Sequence, residues 1–141
     1  ANLSLAAQVN DSQLSKIIDS VHEKGIVFAA PVGNDPAAEN IAFPASHDKV
    51  ISIAGLDEQG NPLPNKRLAV MADAVAPATH LFVTTPGNSY NFIDGTSLAS
   101  ASISGIIALS MEKKSIQNSP CLPRFNSTDS WSKQVHSCIG L

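Results

Sequence analysis

Two apolar runs constrain this chain more than any other feature: GIVFAAPVGN at residues 25–34 and VISIAGL at 50–56. Neither contains a charged residue. A strand with one wet face alternates apolar and polar side chains, whereas a strand covered on both faces, as in a parallel sheet, reads as a continuous apolar run. Both runs therefore predict fully covered strands. The first is preceded by NDSQLSKIIDSVHEKG, in which Leu14, Ile17, Ile18 and Val21 fall at i, i+3, i+4 and i+7. That spacing predicts an amphipathic helix, with Asn10, Asp11 or Ser12 as its cap and Gly25 as its end. Helix followed by buried strand is half of an α/β unit.

Further along, a Pro/Ala/Asn-rich loop runs to residue 48, and DEQGNPLPN after the second run is a turn cluster. LAVMADAVAP and HLFVTT are predicted as two more strands, and NSYNFID at 88–94 as a short strand or hairpin arm. Ile103, Ile106, Ile107 and Met111 mark a helix whose other positions are mostly Ala, Ser and Gly. With so few charges before Glu112, it is expected to be surrounded by protein on most sides. From Ser115 the chain is rich in Ser, Asn and Pro. The expected organisation is a main domain over 1–114 and an irregular extension over 115–141. The fold class is α/β, an open and mainly parallel sheet with helices on both faces, whose ligands sit at the carboxyl ends of the strands.

Composition narrows the function. The 141 residues are 43% hydrophobic and 15% charged with a net charge of −3, and Lys and Arg are scattered apart from short pairs. No nucleic-acid partner is expected from such a surface. The longest apolar run is half the roughly 18 residues of a membrane span, so no span is expected. The acidic residues lack calcium-loop spacing, so no metal or other cofactor is indicated; a structural calcium would need isolated carbonyl and carboxylate ligands. Cys121 and Cys138 are either bridged, which would stabilise the fold by up to about 3 kcal/mol, or two free thiols.

The segment with the most chemistry is DGTSLASASISG, residues 94–105, which opens the apolar helix on a hydroxyl at Ser97. Such a serine is either a helix cap or a nucleophile in the positive end of the helix field. VGN at 32–34 sits at another strand end, so the two are expected to meet in space. A first-turn backbone N–H at Ser97 and a side-chain N–H from Asn34 would together hold an oxyanion. Gly33 and Gly95 leave room for close approach. GTS is neither the G-x-S-x-G elbow, since Ala99 stands where the second glycine would be, nor a phosphate loop.

GTSLAS resembles the GTSMAS segment around the nucleophile of the subtilisin-like serine proteases. SLAA at 4–7 resembles that family's SLGG, AAPVGND at 29–35 its AAAGNDG, FPASHDKVISIAGLD its YPASYDNVIAVAAVD, and VAPATHLFVTTPGNSY its APG segment and following strand. The similarity runs in order from residue 2 to about residue 113. It implies a serine endopeptidase in which Ser97 is the nucleophile and Asn34 the oxyanion donor. Leu5, Ala6 and Ala7, with Pro31, Val32 and Gly33, would flank the substrate residue before the scissile bond. A peptide or protein would be the substrate, in an extracellular or periplasmic setting.

The family's chain order is Asp, His, Ser, and only the Ser motif is found here. The resemblance thus implies the C-terminal half of a domain, incomplete at its N-terminus, with acid and base in the missing half. None of His22, His47, His80 and His136 has an HGT-like setting, and His47-Asp48 reads as surface loop. Without a base, a serine hydroxyl is a poor nucleophile, so this chain alone is expected to be inactive. Ala6 and Ala7 replace glycines, and Ala101 and Ser102 replace a proline and a histidine. The alternative from another class is a non-catalytic module of the same fold that binds peptide strands by edge addition.

Overall fold

A computed structural model describes residues 1–112, 122–125 and 130–139. The first helix, α1 (Ser12–His22), starts on Asp11, whose carboxylate accepts the N–H groups of Gln13 at 2.8 Å and Leu14 at 3.0 Å. Gly25, past its end, has φ +86°. Strand β1 (Phe28–Pro31) follows with all four residues buried. The predicted helix–strand unit is present, with a narrower apolar stripe: Ile18 is fully buried, Leu14 and Val21 partly so, while Ile17 is 57% exposed.

Strand β2 (Val50–Leu56) is the centre of a four-stranded sheet. It pairs in parallel with β1 through Val50–Ile53, and in parallel with β4 (Ala74–Pro77) through Ile53–Leu56. A two-residue strand, β3 (Pro62–Leu63), pairs antiparallel with Gly55 and Leu56, closing the turn after β2. Residues 1–3 run beside the far side of β1: Leu3 N–H donates to the Ala29 carbonyl at 2.8 Å, and Ala29 N–H to that of Ala1 at 2.9 Å. The mainly parallel α/β arrangement is as expected.

Side chains alternate across the sheet and build a core on each face. On one, Phe28, Ala30 and Val50 meet Ile18 of α1, and Val32, Ala54 and Val75 meet Leu68 and Ala69 of α2 (Lys66–Met71). On the other, Ala29, Ile53, Ala74 and Ala76 meet Ala99, Ile103, Ile106 and Ile107 of α3 (Thr96–Glu112). Burying an isoleucine such as Ile103 is worth about 1.5–3 kcal/mol, which is why so Ala-rich a sheet needs the α3 isoleucines. The face of α3 carrying Ala101, Gly105, Ala108 and Leu109 is exposed, so this helix is less enclosed than its lack of charge predicts.

Three other expectations change. Residues 68–71 of LAVMADAVAP are helical, not extended, because Asn65 caps α2 through its side-chain oxygen on the Leu68 N–H at 2.9 Å. Strand β5 (Leu81–Thr85) exists, but it pairs with β6 (Ser89–Ile93) in a separate hairpin. The tail holds a helix, α4 (Trp131–Ile139), instead of being irregular throughout. Trp131 donates its indole N–H to the Val75 carbonyl at 2.7 Å, and the Val75 N–H reaches the Pro123 carbonyl at 2.8 Å. The tail thereby covers the outer edge of β4, which would otherwise offer unpaired groups to another strand. Cys121 lies outside the described residues, so its pairing with Cys138 does too.

Candidate active site

The carboxyl ends of β1 and β4 bring the two motifs together. Beyond β1, Val32 N–H still bonds the Ile53 carbonyl at 2.9 Å, and Gly33, at φ +108°, turns the chain to present Asn34. Beyond β4, the Ala78 carbonyl accepts the Gly95 N–H at 2.7 Å, which sets the start of α3 over the same end of the sheet. Ser97 is thus carried in from the separate hairpin rather than from a strand of the main sheet. Gly95 lies against the Asn34 carboxamide: a Cβ there would be 3.9 Å from both its nitrogen and its oxygen.

Thr96, fully buried, fixes the orientation of that carboxamide. Its N–H donates to Asn34 Oδ1 at 2.9 Å, and its hydroxyl lies 2.9 Å from the same oxygen and 3.0 Å from the Gly33 carbonyl. With Oδ1 held by these donors, Nδ2 is the end of the amide left to donate elsewhere. Ser97 is in the first turn of α3, where backbone N–H groups lack helical partners, and it is partly exposed. Among the described residues, no side chain hydrogen-bonds its hydroxyl. A hydroxyl at a helix start and the carboxamide of Asn34 are therefore carried to the same end of the sheet, joined through Thr96.

The segment 1–7 is tied to the same turn. Ser4 Oγ donates to the Ser97 carbonyl at 3.2 Å, Asn2 Nδ2 to Ser4 Oγ at 2.8 Å, and the buried Ser100 hydroxyl to Asn2 Oδ1 at 2.7 Å. Asn2, which with Leu3 and Ser4 fits a glycosylation pattern, is engaged in this network. A cavity of about 370 Å³ opens beside Asn34, with Ala6, Ala7, Val32 and Gly33 along its walls. Leu5, 47% exposed, and Pro31, buried in β1, do not line it. The remaining wall is the 35–42 loop, through Ala38, Asn40 and Ile41. Nothing in that loop's composition marked these residues beforehand.

The histidines lie elsewhere. His47 faces Asp19 at 3.7 Å, and its Nδ1 accepts the Lys49 N–H at 3.1 Å, so Asp48 is not its partner. His80 faces Glu58 at 3.3 Å, His22 has a buried Nδ1 without a partner, and His136 is exposed on α4. Among the described residues there is no cluster of three or more His, Cys, Asp or Glu able to hold a metal, and no helix long and apolar enough to cross a membrane.

The start of α3, carrying Ser97, is thus bonded through Thr96 to the strand-end Asn34 at the carboxyl end of a mainly parallel α/β sheet. The sequence model of the subtilase family, Peptidase_S8, matches residues 1–127, and the chain belongs to that family. Subtilisin DY of Bacillus licheniformis is 30% identical over 115 residues, which is 79% of this chain and 42% of the relative. The thermophilic serine proteinase of Bacillus sp. (strain AK1) is 31% identical over 108 residues, 77% of this chain and 27% of the relative. The chain therefore spans less than half the length of these relatives. Among solved structures, the prenylagaramide maturation protease PagA superposes with a TM-score of 0.70 at 25% identity, over 88% of this chain and 46% of that one. The self-cleaved protease domain of PatA, at 21% identity, shares the fold with a TM-score of 0.71 over 88% of this chain and 48% of that one.

Proposed function

We propose that this chain is the nucleophile-bearing half of a serine endopeptidase, acting on peptides or proteins in an extracellular or periplasmic setting. The observation that carries the reading is the Thr96–Asn34 contact, which leaves Asn34 Nδ2 free to donate beside the first turn of α3. Ser97 Oγ would attack the peptide carbonyl, and its proton would pass to a histidine oriented by an aspartate. Both come from polypeptide outside this stretch, in keeping with the share of the relatives that it spans. The Asn34 side chain and the Ser97 N–H would hold the developing oxyanion. The cavity beside Asn34, where Ala6, Ala7, Val32 and Ile41 stand beside the polar Gln8, Asp35 and Asn40, would take an apolar side chain on the residue before the scissile bond with a polar rim around it. The exposed stripe of α3 and the open side of residues 1–3 are where the missing half would pack.

A fluorophosphonate probe tests this on the full-length protein. Labelling is expected on Ser97 and absent in Ser97→Ala. Asn34→Ala should slow turnover by about 10²–10³, the size known for this donor in a subtilisin and carried over from it. A folded full-length sample that binds peptide but takes no label would overturn the enzyme reading in favour of the non-catalytic module.

A further inference from the structure

The 35–42 loop that forms one wall of the cavity is anchored at its end by the Ala42 N–H on the Val32 carbonyl at 3.1 Å and rests Ala38 and Ile41 on the core, but has little bonding of its own in between. Its internal bonds are two: Asp35 accepts the Ala37 N–H on its carboxylate at 2.9 Å and the Ala38 N–H on its carbonyl at 3.2 Å. The carbonyls of Pro36, Ala38 and Glu39 instead all accept from the first turn of α2. Asn65 Nδ2 donates to Pro36 at 3.1 Å and to Ala38 at 3.0 Å, and Arg67 Nε donates to Glu39 at 2.7 Å.

The donor end of Asn65 has no freedom to do otherwise. Its Oδ1 is committed to the Leu68 N–H as the helix cap, so Nδ2 must face the loop. The helix beneath is itself anchored, with Leu68 and Ala69 fully buried against Val32 and Val75. One asparagine thus couples two functions, starting α2 and fixing the loop whose Ala38, Asn40 and Ile41 face the cavity.

We infer that Asn65 and Arg67 are positioning residues that set the width of the substrate cavity by clamping the 35–42 loop to α2. Neither lines that cavity. The inference rests on the proposed protease reading for its kinetic consequence, but the clamp itself is a property of the loop. Loosening it widens the set of loop positions a bound side chain must select from, so substrate capture weakens while chemistry at Ser97 does not.

Asn65→Asp separates the two functions, because a carboxylate still caps Leu68 N–H but offers no donor to the two carbonyls. Arg67→Met is the second variant, in case the first unfolds. Amide hydrogen exchange on the full-length protein reads the clamp without any need for activity. Exchange at Ala37, Ala38 and Ala42 is expected to quicken about tenfold or more in each variant, with Leu68–Ala72 unchanged. For peptides with a large apolar residue before the cut, KM is expected to rise about threefold to tenfold, with kcat and probe labelling of Ser97 within about twofold. Unchanged loop exchange in both variants would overturn the clamp. Faster exchange with equal losses in kcat would overturn the assignment to positioning. If wild type neither cleaves nor labels, the protease reading fails while the exchange result still decides the clamp.

Discussion

At Gly55 the sheet comes close against Ala78, Leu63 and Thr96. A Cβ added there would stand 2.6 Å from Ala78 Cβ, 3.2 Å from Leu63 Cβ and 3.4 Å from Thr96 Cγ2. Carbon atoms in good contact sit about 3.5–4.0 Å apart, so Gly55→Ala requires a displacement of about 1 Å. Ala78 cannot yield freely, since its N–H is bonded to the Leu56 carbonyl at 2.9 Å and its own carbonyl holds the Gly95 N–H at 2.7 Å. Overpacking of this kind costs about 1–3 kcal/mol. For a chain of this size that corresponds to a melting temperature lower by about 3–9 °C. Ala78→Gly restores the space but loses a buried methyl group and adds chain entropy, costing about 1–2 kcal/mol alone. The double variant Gly55→Ala/Ala78→Gly should therefore be more stable than the sum of the two changes by about 1–2 kcal/mol. Thermal unfolding followed by circular dichroism on all four proteins gives that coupling. Strict additivity, or a Gly55→Ala protein that melts with wild type, would refute the close-approach argument.

Trp131→Phe keeps most of the ring but removes the donor to the Val75 carbonyl, and should lower stability by about 1–3 kcal/mol in thermal unfolding. An unchanged melting temperature would mean that the tail does not hold the β4 edge. Asp57 makes a third case. The Asn61 side-chain amide, helped by the backbone N–H groups of Asn61, Gln59 and Gly60, holds its carboxyl below the ordinary value of 3.8. A folded pKa below the unfolded one contributes stability above the unfolded value, lost as pH falls through the folded one. The stability difference between wild type and Asp57→Asn should thus be flat near neutrality and shrink below about pH 4, as denaturant titrations at pH 7 and pH 3 would measure. A difference independent of pH would refute it.

The elements legible in the sequence were those whose signal is local and repeated. The buried runs at β1 and β2 and the Asp11-capped α1 needed no tertiary knowledge. Ser97 and Asn34 could be paired because each lies just past a glycine at an element boundary, Asn34 one residue after Gly33 and Ser97 two residues after Gly95. The misreadings have the opposite cause. Six residues of α2 are too few to show a helical period, so Leu68–Met71 look like any apolar strand until Asn65 is seen to cap them. Helix α4 owes its place to long-range contacts, the Trp131 indole on the Val75 carbonyl and the packing of Trp131 and Val135 on the core, which a nine-residue stretch in a polar tail does not announce. Ala38 and Ile41 line the cavity from a loop that packs on the Leu68–Val75 core and is bonded by side chains about 27 residues later.

The cover on β4 also fixes a schedule for synthesis. Trp131 lies 56 residues after Val75, the group it bonds. At about 5–20 residues per second, the ribosome delivers it roughly 3–11 s after the strand it protects. Throughout that interval, β4 can be emerging beside β2 with its outer groups bare. A nascent chain stalled between residues 78 and 122 would carry a sheet complete in its inner pairs yet open along β4. Premature termination in that window is therefore where self-association of this polypeptide should concentrate.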